Sequence, residues 1–425
     1  MKRRMRPVDS VFFSAYDAAW RLLLPMLRRH HRLAEGFEQR VLVRPPAAPV
    51  DIWIQAASGG EAYLAWELLK RMTADPPLAV QLTTNTRQGM DILKRAAADV
   101  TVENGAPVVH TAYFPFDRPR WMRKTLGRLR PRVVVLLETE IWPALLAALK
   151  CHGGRSLIVN ARMTAGSLAR YRLWPSLWRS LAPDGVLAVS RTDAARFGAL
   201  FGGERVAVMP NIKFDRLRMP ASVDAPPPAA GWPPAARPFV VFGSVRRKEE
   251  ADVLRIICTL RKACPDVVIG LFPRHLHRIA FWRRALARRR IGVALRSQVA
   301  SPAGPGHLIL GDVFGELDAA YAAAVAAFVG GSLAPLGGQN FLEPLVNGVA
   351  PVIGPHWDNF RWVGSELIQS GLVRQVNDWK GVVKALINDV NNPRNPDGVR
   401  RAAAAYIKTR QGGALQAVER IRRYL

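Results

Sequence analysis

Glu61 stands three residues after Ser58 in the run Ser58-Gly59-Gly60-Glu61, at the predicted junction of a strand and a helix. Two glycines clear space at this junction, and a carboxylate in the first helical turn projects beyond the end of the strand. It suits a general base that takes the proton of an attacking hydroxyl, a role worth about 10²–10⁴-fold in rate. The alternative is a glutamate that only complements the helix dipole, worth about 0.3–1 kcal/mol. These residues alone leave both interpretations open.

Two further carboxylates, Glu138 and Glu140, close another predicted strand. Paired acids in a basic chain can orient a ligand or hold nearby arginines. The alternative is local ion pairing near a helix start.

A glycine-rich run at 330–344 follows an apolar strand at 325–329. Its glycines let backbone amides approach a ligand, and a helix is predicted to begin near Asn340, where free N–H groups attract anions. Glu343, in the first turn, can accept hydrogen bonds from a ribose diol. Together these features predict a nucleotide-sugar site.

Arg274 and His275 follow another predicted strand. The arginine suits bidentate contact with a phosphate. A lone histidine more often makes a structural hydrogen bond, so His275 is the weaker indication.

The chain carries 61 Lys and Arg against 33 Asp and Glu, a formal net charge of +28. Such a surplus favours anionic partners: nucleic acid, anionic lipid or phosphorylated substrates. No acidic residue lies between Asp266 and Asp312, and a second basic block spans 118–132. These blocks are interpreted as nucleic-acid-binding, lipid-docking or simply solvated. No nucleic-acid-binding signature supports the first interpretation, so no nucleic-acid partner is expected.

Metal and redox chemistry find little support. Cys151, Cys258 and Cys264 form no CxxC pair, and the eight histidines are scattered. This pattern predicts a reducing compartment and no zinc site. No Walker A, dinucleotide-binding or nucleophile-elbow motif is present.

The N-terminal segment has a separate character. Basic residues flank an apolar run, 11–27, that contains Asp17, Arg21 and Pro25. It is short and charged for a spanning helix. We interpret residues 1–32 as an anchor at an anionic membrane surface, and an ordinary packed helix or a spanning or signal segment are the alternatives. The face expected to meet lipid holds Phe12, Phe13, Tyr16, Trp20, Leu23 and Leu24.

Alternating apolar runs and helical patterns position these residues. Such β-α alternation predicts parallel sheets covered on both faces. Asp117 is predicted to cap the helix that Pro119 begins. A proline-rich segment, 219–238, predicts a linker between two doubly wound domains, 33–218 and 239–425, that face each other across a ligand-binding cleft.

Taken together, the motifs of this chain resemble those of a family, the Kdo (3-deoxy-D-manno-octulosonic acid) transferases of lipopolysaccharide assembly. In the first half the matching segments are 57–61, 83–86, 114–117, 138–143, 160–162 and 211–215. In the second half they are 243–244, 273–275, 311–317, the glycine-rich run and 354–356. The resemblance extends from the basic N-terminal segment to beyond Trp362.

The resemblance implies a GT-B fold of two Rossmann-like domains, the first binding the acceptor and the second the CMP-sugar. It implies inverting transfer of Kdo from CMP-Kdo to a lipid A precursor, on the cytoplasmic face of the inner membrane of a Gram-negative-type bacterium. Glu61 falls on the proposed base. The positions expected at the nucleotide are Arg274, His275, Gly315, Asn340 and Glu343. Further candidates for contacts with donor, phosphate or acceptor are Ser58, Gly60, Ser244, Gly337, Gly338, Glu138 and Lys213. No cofactor and no metal are expected.

Three positions depart from the family pattern: Gly59, Val245 and Gln339, where a small aliphatic residue, threonine and histidine are usual. The alternatives are therefore a GT-B transferase that uses another activated sugar on a lipid or glycan, or a non-catalytic basic binding protein with this fold. The sequence leaves the acceptor lipid, the number of sugars added and the oligomeric state open.

Overall fold

The computed structural model describes residues 7–29, 31–44, 49–100, 105–217, 237–298 and 307–425. The predicted linker lies outside these ranges except for its last two residues, as do Lys2, Arg3, Arg4 and Arg6. The chain divides into two compact units, one of residues 1–217 and 410–425 and the other of residues 218–409.

The first unit is built on a parallel sheet. Its strands are β1 (Ile52–Gln55), β2 (Ala79–Thr84), β3 (Val108–Tyr113), β4 (Val133–Leu137), β5 (Arg155–Ala161), β6 (Gly185–Ala188) and β7 (Val206–Val208). Its helices are α1 (Pro7–Arg28), α2 (His31–Ala34), α3 (Phe37–Arg40), α4 (Gly59–Leu69), α5 (Arg87–Val100), α6 (Pro119–Leu129), α7 (Pro143–His152), α8 (Ala165–Tyr171), α9 (Pro175–Ser180) and α10 (Arg191–Phe201).

The strand order of this sheet is β3-β2-β1-β4-β5-β6-β7. In the shared register, Ile54 of β1 lies opposite Leu82 on one side and Val135 on the other. All five residues of β4 are buried, as expected of an apolar strand covered by helices on both faces. The edge strand β3 was not predicted because its polar, partly exposed side chains break the apolar pattern.

The second unit repeats the plan. Its strands are β8 (Phe239–Val245), β9 (Val268–Pro273), β10 (Gly292–Leu295), β11 (His307–Leu310), β12 (Ala326–Val329), β13 (Pro351–Ile353) and β14 (Arg374–Gln375). They run parallel in the order β10-β11-β9-β8-β12-β13-β14. Its helices are α11 (Glu250–Ala263), α12 (Ile279–Ala287), α13 (Leu317–Ala322), α14 (Leu342–Val346), α15 (Glu366–Gln369), α16 (Trp379–Asn391) and α17 (Pro396–Lys408).

The last helix, α18 (Gly413–Arg422), returns to the first unit. The prediction that the second domain runs to residue 425 is therefore wrong. Apolar residues at Ala414, Ala417, Val418 and Ile421 give α18 one apolar face, which packs into the core around β1. The Asp215 carboxylate accepts hydrogen bonds from N–H groups at the start of this helix, at 2.6 Å from Ala414 N.

Helix α1 packs on the first unit with the aromatic face that was expected to meet lipid. Phe13 is buried in its core, and the Tyr16 hydroxyl donates to Asp117 Oδ2 at 3.1 Å. Trp20 lies 5.3 Å from Phe116, ring centre to ring centre. These contacts turn the aromatic face to protein, as in an ordinary packed helix, and do not support its predicted role as an N-terminal anchor in lipid. Within the described ranges, no helix combines the length and apolarity needed to cross a bilayer.

Asp117 also departs from its predicted role. Arg118 is the N-cap of α6, and the buried Asp117 carboxylate instead accepts from Ala144 N and Leu145 N at the start of α7, at 3.0 and 2.8 Å. The predicted helix is present, but the aspartate serves a helix 26 residues further along the chain because tertiary packing brings that helix terminus to it.

Candidate active site

In the first unit, three carboxylates gather at the point where the strand order reverses. The chain connections run in opposite directions from β1 and β4, which are neighbours in the sheet. Such a reversal opens a crevice at the carboxyl ends of the two strands, where ligands bind in doubly wound folds. Glu61 follows β1, and Glu138 and Glu140 follow β4.

The start of α4 holds Glu61 firmly. Ser58 is the N-cap, and its hydroxyl donates to Glu61 Oε1 at 3.1 Å. Ala57 N donates to Glu61 Oε2 at 2.7 Å. This arrangement is close to a capping box, so the Glu61 side chain does complement the helix terminus, as the alternative interpretation of the sequence held. The same bonds fix the carboxylate in one orientation, as a positioned base requires.

The pKa of Glu61 is raised to about 8, primarily by burial. The neighbouring charges of Glu140 and Glu138 raise it further, whereas the hydrogen bonds from Ala57 and Ser58 lower it. A carboxylate with such a pKa is a far stronger proton acceptor than an ordinary one, and dipole complementarity alone does not require this burial.

Glu138 and Glu140 differ in their partners. Glu138, at a φ of 55°, forms an ion pair with Lys213 at 2.6 Å and approaches Arg162 at 3.9 Å. Glu140 accepts from Trp142 Nε1 at 2.7 Å, and burial raises its pKa. Glu138 thus forms ion pairs, but with residues distant in the chain and not in the local pairing near a helix start that the sequence left as an alternative. Glu140 adds negative charge beside Glu61.

Two polar residues of this edge were not among the candidate site residues, although Asn160 lies in a segment that carries the family resemblance. Gln55, within β1, is fully buried, and its Oε1 accepts from the Thr83 hydroxyl at 2.6 Å. Asn160, at the end of β5, accepts from Ile212 N at 2.9 Å and so holds the turn that carries Lys213. Gln55 could have been recognised as a candidate site residue because it is a polar residue inside an otherwise apolar strand.

In the second unit, the strand order reverses between β8 and β12. Ser244, with a φ of 55°, lies at the end of β8, and the glycine-rich run follows β12. Arg274 follows the adjacent β9, and its N–H donates to Val245 O at 2.8 Å. The predicted nucleotide-binding positions other than Gly315 therefore come from loops that flank this reversal.

The glycine-rich run is folded against its own unit. Gly337 and Gly338 have φ values of 82° and 79°, in the left-handed region that favours glycine. A side chain at Gly337 would also collide with Asn359. Both positions are thus required by backbone shape, and nothing in their contacts points to a ligand.

The helix after this run begins at Leu342, two residues later than predicted, and has only five residues. Asn340 Oδ1 accepts from Leu342 N at 3.2 Å, and Asn340 Nδ2 donates to Glu343 Oε1 at 2.9 Å. At the beginning of the run, the N–H groups of Gly331 and Leu333 donate to the buried carboxylate of Glu249 and so already have an acceptor within the protein.

Charges of both signs lie near Glu343: Arg274, another nucleotide-binding candidate, and Asp318 of α13. Burial raises the pKa of Glu343, whereas Asn340 and nearby Arg274 lower it. Desolvation and the neighbouring Arg274, His277 and Arg246 lower the pKa of His275, whose ring stacks on His277 at 5.5 Å. Arg274 itself is exposed and available to a phosphate.

Gly315 lies apart in the loop after β11, with a φ of 90° and open space where a side chain would stand. Among the described residues, no group of three or more His, Cys, Asp or Glu side chains has an arrangement that could hold a metal ion. The three cysteines are free.

Comparison with known proteins now identifies the family. Residues 29–216 match the sequence model of 3-deoxy-D-manno-octulosonic-acid transferase (kdotransferase). The 3-deoxy-D-manno-octulosonic acid transferase of Bordetella pertussis is 32% identical over 90% of this chain and 88% of its own. The chain belongs to the Kdo transferase family. The Haemophilus influenzae Kdo transferase is 28% identical over 92% of this chain and 90% of its own.

Solved structures agree on the fold of this Kdo transferase. A glycosyltransferase from Rickettsia africae matches with a TM-score of 0.55 at 9% identity, covering 88% of this chain and 98% of that one. Anabaena Alr3699/HepE, solved in complex with UDP, matches with a TM-score of 0.53 at 12% identity, covering 88% and 100%. At these identities the likeness is one of fold alone, and it confirms the predicted GT-B class.

The departures from the family pattern fit their surroundings. A Cβ at Gly59 would lie 3.0 Å from the side chain of Gln88, which fills the space beside the helix start. Val245 is buried in the apolar core of its unit. Gln339 Nε2 donates to Gly338 O at 3.1 Å. None of these changes removes a candidate site residue.

Proposed function

We propose that this Kdo transferase moves Kdo from CMP-Kdo to a hydroxyl of a lipid A precursor, with inversion of configuration and with Glu61 as general base. Membership of the family supports the sugar and the reaction type. The observation that carries the residue assignment is the buried carboxylate of Glu61, fixed by two hydrogen bonds at the reversal of strand order and with its pKa raised to about 8.

The proposed step is a single displacement. The ionised Glu61 carboxylate takes the proton of the acceptor hydroxyl, whose oxygen forms a bond to the anomeric carbon of Kdo. The bond from that carbon to the CMP phosphate oxygen breaks, and CMP leaves with the electron pair. Attack from the face opposite CMP inverts the anomeric carbon, and no covalent enzyme intermediate forms.

The second unit supplies the donor contacts. Arg274 neutralises the charge that develops on the leaving phosphate, which is a major source of stabilisation in such transition states. Glu343, with Asn340 bonded to it, accepts hydrogen bonds from the cytidine ribose. His275 and Ser244 line the nucleotide. This step uses no metal and no cofactor.

The first unit supplies the acceptor contacts. Lys213 balances Glu138 beside the base, and Ser58 and Gly60 bound the space in front of Glu61. Gly60 is exposed, with no heavy atom other than Ser58 Oγ, at 3.7 Å, near the place of a side chain. That open space admits an acceptor hydroxyl.

The acceptor is membrane-bound in this proposal, and the outer face of the first unit suits the cytoplasmic face of the inner membrane. Val11, Leu22 and Met26 of α1 are 72%, 78% and 70% exposed. A neighbouring groove is lined by Leu24, Pro25, Arg28, Arg29, Phe37, Val41 and Trp121. Apolar side chains beside arginines fit the headgroup region of anionic lipid, so the contact is peripheral.

The test is a product assay. The purified protein is incubated with CMP-Kdo and tetra-acylated lipid A precursor, with and without EDTA, and lipid products are read by mass spectrometry. We expect a product that carries Kdo in both conditions, and its mass counts the sugars. A parallel reaction with a UDP-sugar should give none. Absence of Kdo-bearing lipid, although CMP binds, would contradict the acceptor or the donor; loss of product in EDTA would contradict the metal-free step.

A further inference from the structure

Glu249 is a buried carboxylate that joins two loops of the second unit. It lies after β8, just before α11, and is 1% exposed. Its Oε1 accepts from Arg246 N at 2.8 Å and from Gly331 N at 2.5 Å, and its Oε2 accepts from Leu333 N at 3.4 Å. One side chain therefore bonds the loop after β8 to the glycine-rich run after β12.

The two loops are close enough to need this carboxylate. Gly330 N donates to Gly243 O at 2.8 Å, and a Cβ at Gly330 would lie 2.7 Å from Val245 Cα. Of the N–H groups that donate to Glu249, that of Gly331 is buried and those of Arg246 and Leu333 are partly buried. A buried N–H without an acceptor costs about 1–3 kcal/mol, and one anionic side chain satisfies three.

The loops joined in this way carry the groups proposed to bind the donor. Arg246, whose N–H Glu249 holds, is near enough to lower the pKa of His275. Arg274 is bonded through its own N–H to Val245, one residue before Arg246. The glycine-rich run leads on to Asn340 and Glu343. The hydrogen bonds of Glu249 come from backbone N–H groups, so we expect its effect on the donor to pass through the backbone.

We infer that Glu249 is a positioning residue for the donor: by accepting the inward N–H groups of both loops, it sets the separation of the cationic side and the ribose-binding side of the nucleotide site. This inference rests on the proposed donor site. In this inference the N–H groups of Gly331 and Leu333 bind Glu249 and not the donor, and the donor phosphate is bound by the arginines.

Glu250 provides the matched control. It is also buried, at 4% exposed, but it pairs with Arg278 at 2.6 Å on the other side of the turn. Glu249→Gln and Glu250→Gln each neutralise one buried carboxylate at adjacent positions. Only the first places an amide N–H₂ against backbone N–H groups of the glycine-rich run.

The test compares CMP affinity by calorimetry, steady-state rates, and hydrogen exchange of a peptide covering 330–338. For Glu249→Gln we expect CMP affinity to fall and the donor KM to rise, each about tenfold, the equivalent of one lost charge-assisted hydrogen bond. We expect kcat to change less than threefold and exchange in 330–338 to accelerate. Glu249→Asp should recover part of the affinity, and Glu250→Gln should match the wild type.

CMP affinity within twofold of wild type in Glu249→Gln would overturn the inference, as would equal losses in both glutamine variants. If the wild-type protein binds no CMP, the proposed donor site is wrong. Hydrogen exchange then tests separately whether Glu249 holds the glycine-rich run in place. Unchanged exchange in 330–338 for Glu249→Gln would show that Glu249 does not hold the run.

Discussion

The two units use the same sheet geometry but differ in the charged side chains that lie near the reversal of strand order. Where β1 meets β4, Glu61, Glu138 and Glu140 gather, and burial with mutual repulsion raises the pKa of Glu61 to about 8. Where β8 meets β12, Arg246, Arg274, His275 and His277 gather, and the pKa of His275 is lowered. One crevice favours proton uptake and the other favours anions, and the difference comes from a few loop residues on equivalent frameworks.

The largest effect should come from removing the base. Glu61→Gln keeps the size and one acceptor oxygen but cannot take a proton, so kcat should fall by about 10²–10⁴-fold. CMP affinity, which the proposal assigns to the other unit, should stay within twofold. Rates with Kdo-bearing lipid as product and calorimetry with CMP provide the two measurements.

Glu67→Gln is the control for that variant. Glu67 lies on the same helix, is equally buried, and pairs with Lys70 and Arg71. If Glu67→Gln lowered kcat as much as Glu61→Gln, the loss would reflect damage to α4 and not the loss of a base.

Removing a cation in the second unit should have a smaller effect, and it should lower nucleotide affinity where removal of Glu61 lowers kcat. Arg274→Ala deletes a charge-assisted contact of about 1.5–3 kcal/mol, so CMP affinity should fall roughly 10- to 100-fold. Arg283→Ala, an exposed arginine on α12, should leave the affinity unchanged. Equal losses would mean that bulk positive charge, and not Arg274, attracts the nucleotide.

The repulsion among carboxylates should be visible in the pH profile. Because Glu61 must be ionised to act, kcat should rise with pH and level off above about 8. Glu140 is the largest charge contribution to this raised pKa, so Glu140→Gln should shift the midpoint to lower pH. A midpoint that stayed in place or rose would contradict the assignment of Glu140 as a cause of the raised pKa of Glu61.

The last effect concerns stability. The folded pKa of Glu61, about 8, lies above its ordinary value of 4.5, so the folded protein holds a proton that the unfolded chain releases between these pH values. The free energy of unfolding should therefore decrease as pH rises through this window. Glu61→Gln removes this decrease. The free energy of unfolding of the variant minus that of the wild type should therefore be more positive at pH 8 than at pH 5. Denaturant titrations at both pH values measure the difference, and an equal offset at both would contradict it.

Local patterns predicted the parallel sheets and the position of Glu61, because an apolar run followed by a Ser-Gly-Gly-Glu turn specifies both. They did not predict the raised pKa of Glu61, which depends first on burial and then on the charge of Glu140, 79 positions away in the chain. Glu249 was missed because Arg-Arg-Lys-Glu-Glu is typical of an exposed turn. The aromatic face of α1 was assigned to lipid because a sequence cannot show that Asp117 and Phe116 lie beneath it.

The return of α18 to the first unit has a consequence for how the protein is made. Ala414, Ala417, Val418 and Ile421 complete the core around β1, yet a ribosome reaches them only after the entire second unit has been synthesised. The first unit to emerge is thus the last that can close its core, and until then the apolar groove for α18 is open to solvent or to a chaperone.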